Sequence, residues 1–205
     1  MWTDYYGYPP PRPSVRSLLA VPITKEPLTL DEAKLRAGLD WVPGDPRDDL
    51  MLGFIEAARQ QVEQDTGLAV PDQERDLFFD MLPAAIAWRD LPPQSTPLRS
   101  VSTISYLDDQ GVVQVLDPSA YSVVIGNDCL LITLITPPAV AQRWIVRIAA
   151  GFLTIPPSLL QAIGLLTAHY ATVGRDLTTS GATAVLPTPL GYEDAIRAFV
   201  IVVLV

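Results

Sequence analysis

The side chains of this chain that could do chemistry are few and scattered. His169 is its only imidazole and Cys129 its only thiol. Leu165 and Val173 flank His169 at helical spacing, so a structural or surface role is the plain reading. Without a second His or a Cys pair, a transition metal lacks ligands. Cys129 lies in an apolar stretch with no His or Lys close by, which reads as a buried, inert thiol. Asp48-Asp49 and Asp108-Asp109 are adjacent carboxylates, but neighbouring positions diverge on a helix and oppose on a strand, so neither forms a ready acid/base pair. A helix start and a turn account for them. Gly181-Ala-Thr-Ala has neither the Lys nor the spacing of a phosphate loop, and Ser158 and Ser180 lack a nucleophile elbow. No catalytic residue, metal ligand or cofactor is expected, and no enzyme.

The elements that would position these residues are clearer than any site. Thr29 is an N-cap with Glu32 three residues on, a capping box opening a helix over 29–39. Trp41-Val-Pro-Gly-Asp-Pro46 breaks it. A second helix over 48–66 begins on Asp48 and Asp49, which suit its positive end, and stops at Gly67. Met51, Ile55, Ala58 and Val62 form its apolar stripe, with Leu50 and Phe54 beside them; Glu56, Arg59, Gln60, Glu63 and Gln64 are assigned to the outer face. The pattern then changes period. Candidate strands are 75–81, 85–90, 101–107, 112–116, 121–125, 130–135 and a segment alternating Trp144, Val146 and Ile148 against Arg143 and Arg147. Asp108-Asp-Gln-Gly111 reads as a hairpin turn. This predicts an antiparallel meander of about five or six strands. Pro156 and Pro157 open a third helix over 158–173, apolar nearly all round and expected to be the most buried. Thr178–Thr188 reads as a mobile loop.

The two ends differ from the middle. Residues 1–27 form an expected arm, with Pro9, Pro10, Pro11 and Pro13 following Trp2, Tyr5, Tyr6 and Tyr8. Proline density forbids a helix, and exposed aromatics suit an arm that orders on assembly. The C-terminal run Phe199, Val200, Ile201, Val202, Val203, Leu204 and Val205 is uncharged. Its burial offers about 10 kcal/mol gross at roughly 1.5–3 kcal/mol per large apolar side chain. Ordering it costs on the order of 1–2 kcal/mol per residue, so it needs a fitted surface. That surface is either this chain's own sheet or another protein, since an uncovered β-branched run invites aggregation.

Composition narrows the classes. The chain has 205 residues, 49% of them apolar, enough for one ordinary domain with extended ends. A net charge of −9 argues against gripping nucleic acid through phosphates; an acidic wall could surround DNA without holding it. One cysteine leaves no internal disulfide and suits a reducing cytosol. The first residues lack the basic-then-apolar pattern of a signal peptide, and no apolar stretch is long enough to span a bilayer, so no membrane partner is expected.

The wording of several stretches goes further. LTLDEAK, the Asp-rich helix start and FIEAARQQVEQDTG resemble the N-terminal signature of phage head–tail connector (head-completion, adaptor) proteins. YLDDQGVVQVLDPSAYSV and IAAGFLTIPPSLLQAIGLLTAHYATVGRD fit the same pattern in the same order, and LPTPLGYEDAIRAF resembles the variant found in gene transfer agents, phage-like particles encoded by some bacteria. The resemblance covers Leu28 to Phe199. It implies a structural adaptor made in the bacterial cytoplasm and placed in the neck between capsid and tail. There it would form a homo-oligomeric ring, a dodecamer matched to the portal, with DNA passing through the bore without specific binding. Implied partners are the portal protein on one side and a tail-connecting or stopper protein on the other. Phe199–Val205 becomes the portal-docking tail, although no basic residue follows Arg197 where the family pattern has one near the end. Trp2, Tyr5, Tyr6, Tyr8, Glu56, Arg59 and Glu63 become intersubunit candidates. The expected organisation is an arm (1–27), a connector domain (28–177), and a loop with docking tail (178–205). The expected fold is α+β: a small helical bundle, two N-terminal helices and a buried third, with an antiparallel strand meander and extended termini. The competing class is a soluble ligand-binding or hydrolytic α+β domain whose site forms only on folding.

Overall fold

A computed structural model describes residues 15–127, 129–180 and 188–200, the side chains of 174–180 excepted. The fold is mixed α and β, several helices with two antiparallel sheets. The chain divides into a strand unit (residues 1–21, 74–92 and 98–149) and a helical unit (22–73, 93–97 and 150–205).

In the helical unit, α1 (Leu30–Arg36) starts on the expected capping box. The Thr29 hydroxyl accepts from the Glu32 amide, while the Glu32 carboxylate accepts from the Thr29 amide at 2.9 Å. Helix α2 (Arg47–Thr66) ends at Gly67, whose left-handed φ of 71° lets its amide return to the Glu63 carbonyl. Helix α3 (Pro157–Ser180) runs a further seven residues past the expected end at Val173, because a single Gly, Gly174, costs a helix only about 1 kcal/mol and does not stop it. Helix α4 (Tyr192–Ile196) closes the unit. Met51, Ile55, Ala58 and Val62 of α2 are buried with Leu159, Ala162, Ile163 and Leu166 of α3 in one core, joined by Leu28, Ala33, Tyr192 and Ile196. The Tyr192 hydroxyl donates to Asp65 at 2.6 Å and so ties α4 to α2; burial, then that carboxylate, pushes the phenol's pKa up.

Gly151 cannot be replaced. Its φ is +100°, and a Cβ there would sit 1.9 Å from the Pro71 carbonyl oxygen. Its own amide donates to Pro97, and the next amide, that of Phe152, donates to Val70.

Among its described residues the strand unit holds eight strands in two sheets. The first has the order β1 (Arg16–Leu19), β2 (Gln73–Phe79), β8 (Arg143–Ala150), β4 (Leu98–Leu107), β5 (Val113–Val115). The second has the order β3 (Ala85–Ala87), β7 (Cys129–Leu134), β6 (Tyr121–Ile125). This corrects the single meander. Placing β8 between β2 and β4 satisfies a strand whose Trp144, Val146, Ile148 and Ala150 are all buried, which an end position would not. The arm expected to reach Pro27 is also shortened, because Arg16–Leu19 pairs antiparallel with Arg75–Phe78 as an edge strand. Four residues with mostly exposed side chains carry no alternation to read. The hairpin at Asp108–Gly111 forms as expected: Asp108 accepts from the Gln110 and Val112 amides, and Gly111 has a φ of 76°.

Candidate functional site

The turn between α1 and α2 is built around one carboxylate. Asp48, in the first turn of α2, accepts from the Trp41 indole N–H at 2.6 Å and the Gly44 amide at 2.8 Å, and is ion-paired with the Lys34 ammonium at 2.6 Å. The Pro/Gly-rich run folds back to deliver Trp41 and Gly44, and the helix dipole adds to the field on the carboxylate. Lys34, then Trp41, hold the Asp48 pKa below its ordinary 3.8. Lys34 is buried and lies 5.4 Å from the Trp41 ring centre, while the Arg47 guanidinium lies 4.5 Å from it. The pinned indole forms one wall of a groove of about 450 Å³ with Leu39, Leu50, Phe54, Arg47 and Asp40. Leu50 is 59% exposed.

Deeper in the same unit lies a charge network. Arg59 donates to Glu26 and to Glu63, both at 2.8 Å. The other Glu63 oxygen accepts from the Val70 amide at 3.0 Å and from Gln73 at 2.8 Å. Arg59 and Glu63 are buried, so their assignment to the outer face of α2 is corrected, while Glu56, Gln60 and Gln64 are exposed as expected. Helical spacing alone cannot tell a solvated charge from a paired one turned inward. Burial opposes the Arg59 charge, and the hydrogen bond to Glu26 with the nearness of Glu63 outweighs it, raising the guanidinium pKa.

The strand unit turns apolar side chains outward. Across the second sheet, Ala85, Leu131 and Val124 are direct neighbours in register, and all three are exposed. Val113 and Val115, on the outer strand β5, are 54% and 68% exposed. Within the first sheet Arg147 makes a two-pronged bond to Asp76 across β8 and β2, at 2.8 and 2.9 Å.

His169 and Cys129, singled out from sequence, lie on separate elements, α3 and β7. His169 is half-buried, its ring 6.2 Å from Tyr170. Cys129 is half-exposed on β7, not buried as expected, because it falls on the same outward face as Leu131. Among the described residues no three His, Cys, Asp or Glu side chains gather as a metal would need, and no helix is long and apolar enough to cross a membrane. Phe199 packs on the helical core and Val200 is 40% exposed. Trp2, Tyr5, Tyr6, Tyr8, Ile201, Val202, Val203, Leu204 and Val205 lie outside the described residues, as does the loop from 181 to 187. The Trp41 groove and the Leu131 face were missed. A tryptophan placed in a helix-breaking run was the available signal for the first.

No protein-family model and no curated protein matches this chain. Solved structures do. The chain is similar to a chain in the neck of an empty gene transfer agent (GTA) particle computed with C6 symmetry. The TM-score is 0.63 at 21% identity, over 90% of this chain and 94% of that one. It is similar to a chain in the virion of a native gene transfer agent, with a TM-score of 0.61 at 19% identity, over 89% and 94%. A chain in the neck of a native GTA particle computed with C12 symmetry gives 0.54 at 18%, over 85% and 93%. At such identities these likenesses show a shared fold. It is the fold that the sequence resemblance implied.

Proposed function

We propose that this chain is a structural head–tail adaptor of a phage or phage-like particle, a gene transfer agent in the nearest reading. Copies form a ring beneath the portal, a dodecamer, and join it through a stopper to the tail. The observation that carries this is the fold shared along about nine-tenths of the chain with chains of gene transfer agent particles, two of them necks. Two features support it. The charge of −9 lets DNA pass a wall without being held by it. The apolar row on the strand unit and the run from Val200 onward call for partner surfaces. Val200–Val205 docks on the portal, with Phe199 anchoring the run in this chain's own core. Trp2, Tyr5, Tyr6, Tyr8 and Glu56 remain the intersubunit candidates; Arg59 and Glu63 act inside the unit instead. The role is architectural, with no enzymatic step.

The test is the mass of the purified chain, alone and mixed with the portal of its own operon, by light scattering and negative-stain imaging. The expected result is a ring in one of the two samples that is lost on removing 200–205. A monomer in both, indifferent to the truncation, overturns the reading and favours the ligand-binding alternative.

A further inference from the structure

We propose that the Trp41 groove holds the proline segment Pro9–Pro13 of an adjacent copy. This rests on the ring reading in one respect, that copies lie side by side. The groove has the chemistry that extended proline helices dock against: rigid aromatic and aliphatic walls from Trp41, Phe54, Leu39 and Leu50. Its aromatic wall is pre-set. The Trp41 N–H is already committed to Asp48, so the indole is not free to swing away. Leu50, a wall of the groove, lies more than half exposed.

The occupant is named by charge and length. The segment reads Pro-Pro-Pro-Arg12-Pro, one cation among prolines, and the rim carries Asp40, exposed and without an ion-pair partner among the described residues. Arg12 meeting Asp40 fixes direction, as a flanking arginine does in proline-segment recognition generally. Five residues at about 3.1 Å each span roughly 15 Å, a length that one groove wall can read. Proline also keeps the ordering cost low, because its φ is set before binding. The aliphatic run 201–205 could fill the same apolar walls, but it has no cation for Asp40.

The experiment uses the full chain with Cys129→Ser, Ser14→Cys and Val42→Cys, which leave Arg12 and Asp40 in place, treated with a short bis-maleimide and read on a denaturing gel. A ladder of linked copies is expected, reduced by a peptide of residues 6–14 and untouched by the same peptide with Arg12→Glu. Moving the second cysteine to Asp109→Cys loses the ladder. Linkage within single chains, no linkage, or a ladder that disappears on deleting 200–205 overturns the proposal. Light scattering on the unmodified chain separates the two readings: a ring without the ladder sinks the groove alone, and linked pairs without a ring sink only the ring.

Discussion

In the helical unit even Arg59 and Glu63 are taken inside and paired, and the apolar stripe of α2 is sealed against α3. In the strand unit Val113, Val115, Val124 and Leu131 are left facing solvent, while the charges that stabilise it, Arg147 and Asp76, lie across neighbouring strands. One region pairs its charges inside and leaves an apolar groove open at Trp41; the other leaves a row of apolar side chains uncovered across its strands. The difference separates residues that make the fold from residues that use it, and it can be tested by substitution on each side.

The largest effect is expected at Gly151. Gly151→Ala places a Cβ on the Pro71 carbonyl at a φ forbidden to alanine, costing on the order of 4 kcal/mol, or the soluble chain altogether. A urea midpoint equal to the parent's would show that the backbone there relaxes freely. Next comes the internal charge network. Glu63→Ala removes the acceptor of the Val70 amide and one partner each of Arg59 and Gln73 and should cost about 3 kcal/mol. Glu56→Ala, exposed on the same helix, should stay within about 0.5 kcal/mol. Similar losses for the two would erase the contrast between inner and outer charge.

A third effect is read in acid. The Asp48 carboxylate has its pKa lowered in the fold by Lys34 and Trp41, so its contribution is present above the unfolded value near 3.8 and is lost as pH falls through the lower folded value. Asp48→Asn should therefore lower stability at neutral pH and flatten the fall of stability below about pH 4. An acid limb of unchanged steepness in thermal melts would assign that fall to other carboxylates. The smallest change in stability belongs to the strand unit. Val124→Ser with Leu131→Ser should leave the melting curve within about 0.5 kcal/mol yet weaken assembly with partners in light scattering. A destabilised monomer with unaltered assembly would make that face ordinary core.

Much of the helical unit could be read from residues alone, because its signals are local. Thr29 and Glu32, the Asp48 start, Gly67 and the Met51–Val62 stripe each act within one or two turns. The strands were legible one at a time and their order was not. What puts β8 between β2 and β4 is pairing across more than sixty residues, such as Arg147 with Asp76. The same limit hid Arg59 and Glu63, whose partners Glu26 and Gln73 lie off the helix. Of the candidate surfaces, the runs rich in proline or valine stood out by composition. The Trp41 groove did not, since Phe54 and Leu39 reach it from different elements.

Neither unit is a continuous piece of chain. The backbone passes from one to the other after Val21, Gln73, Pro92, Pro97 and Ala149, and the short return at 93–97 is stitched to the helical unit by Gln94 donating to Gly67 and Ala69 donating to Thr96. In mechanical terms the two units are joined by five covalent plies in place of a single hinge linker. A pull on one is shared among five peptide strands, and a single nick by a protease leaves four intact. An ordinary two-domain chain, hung on one linker, lacks that redundancy.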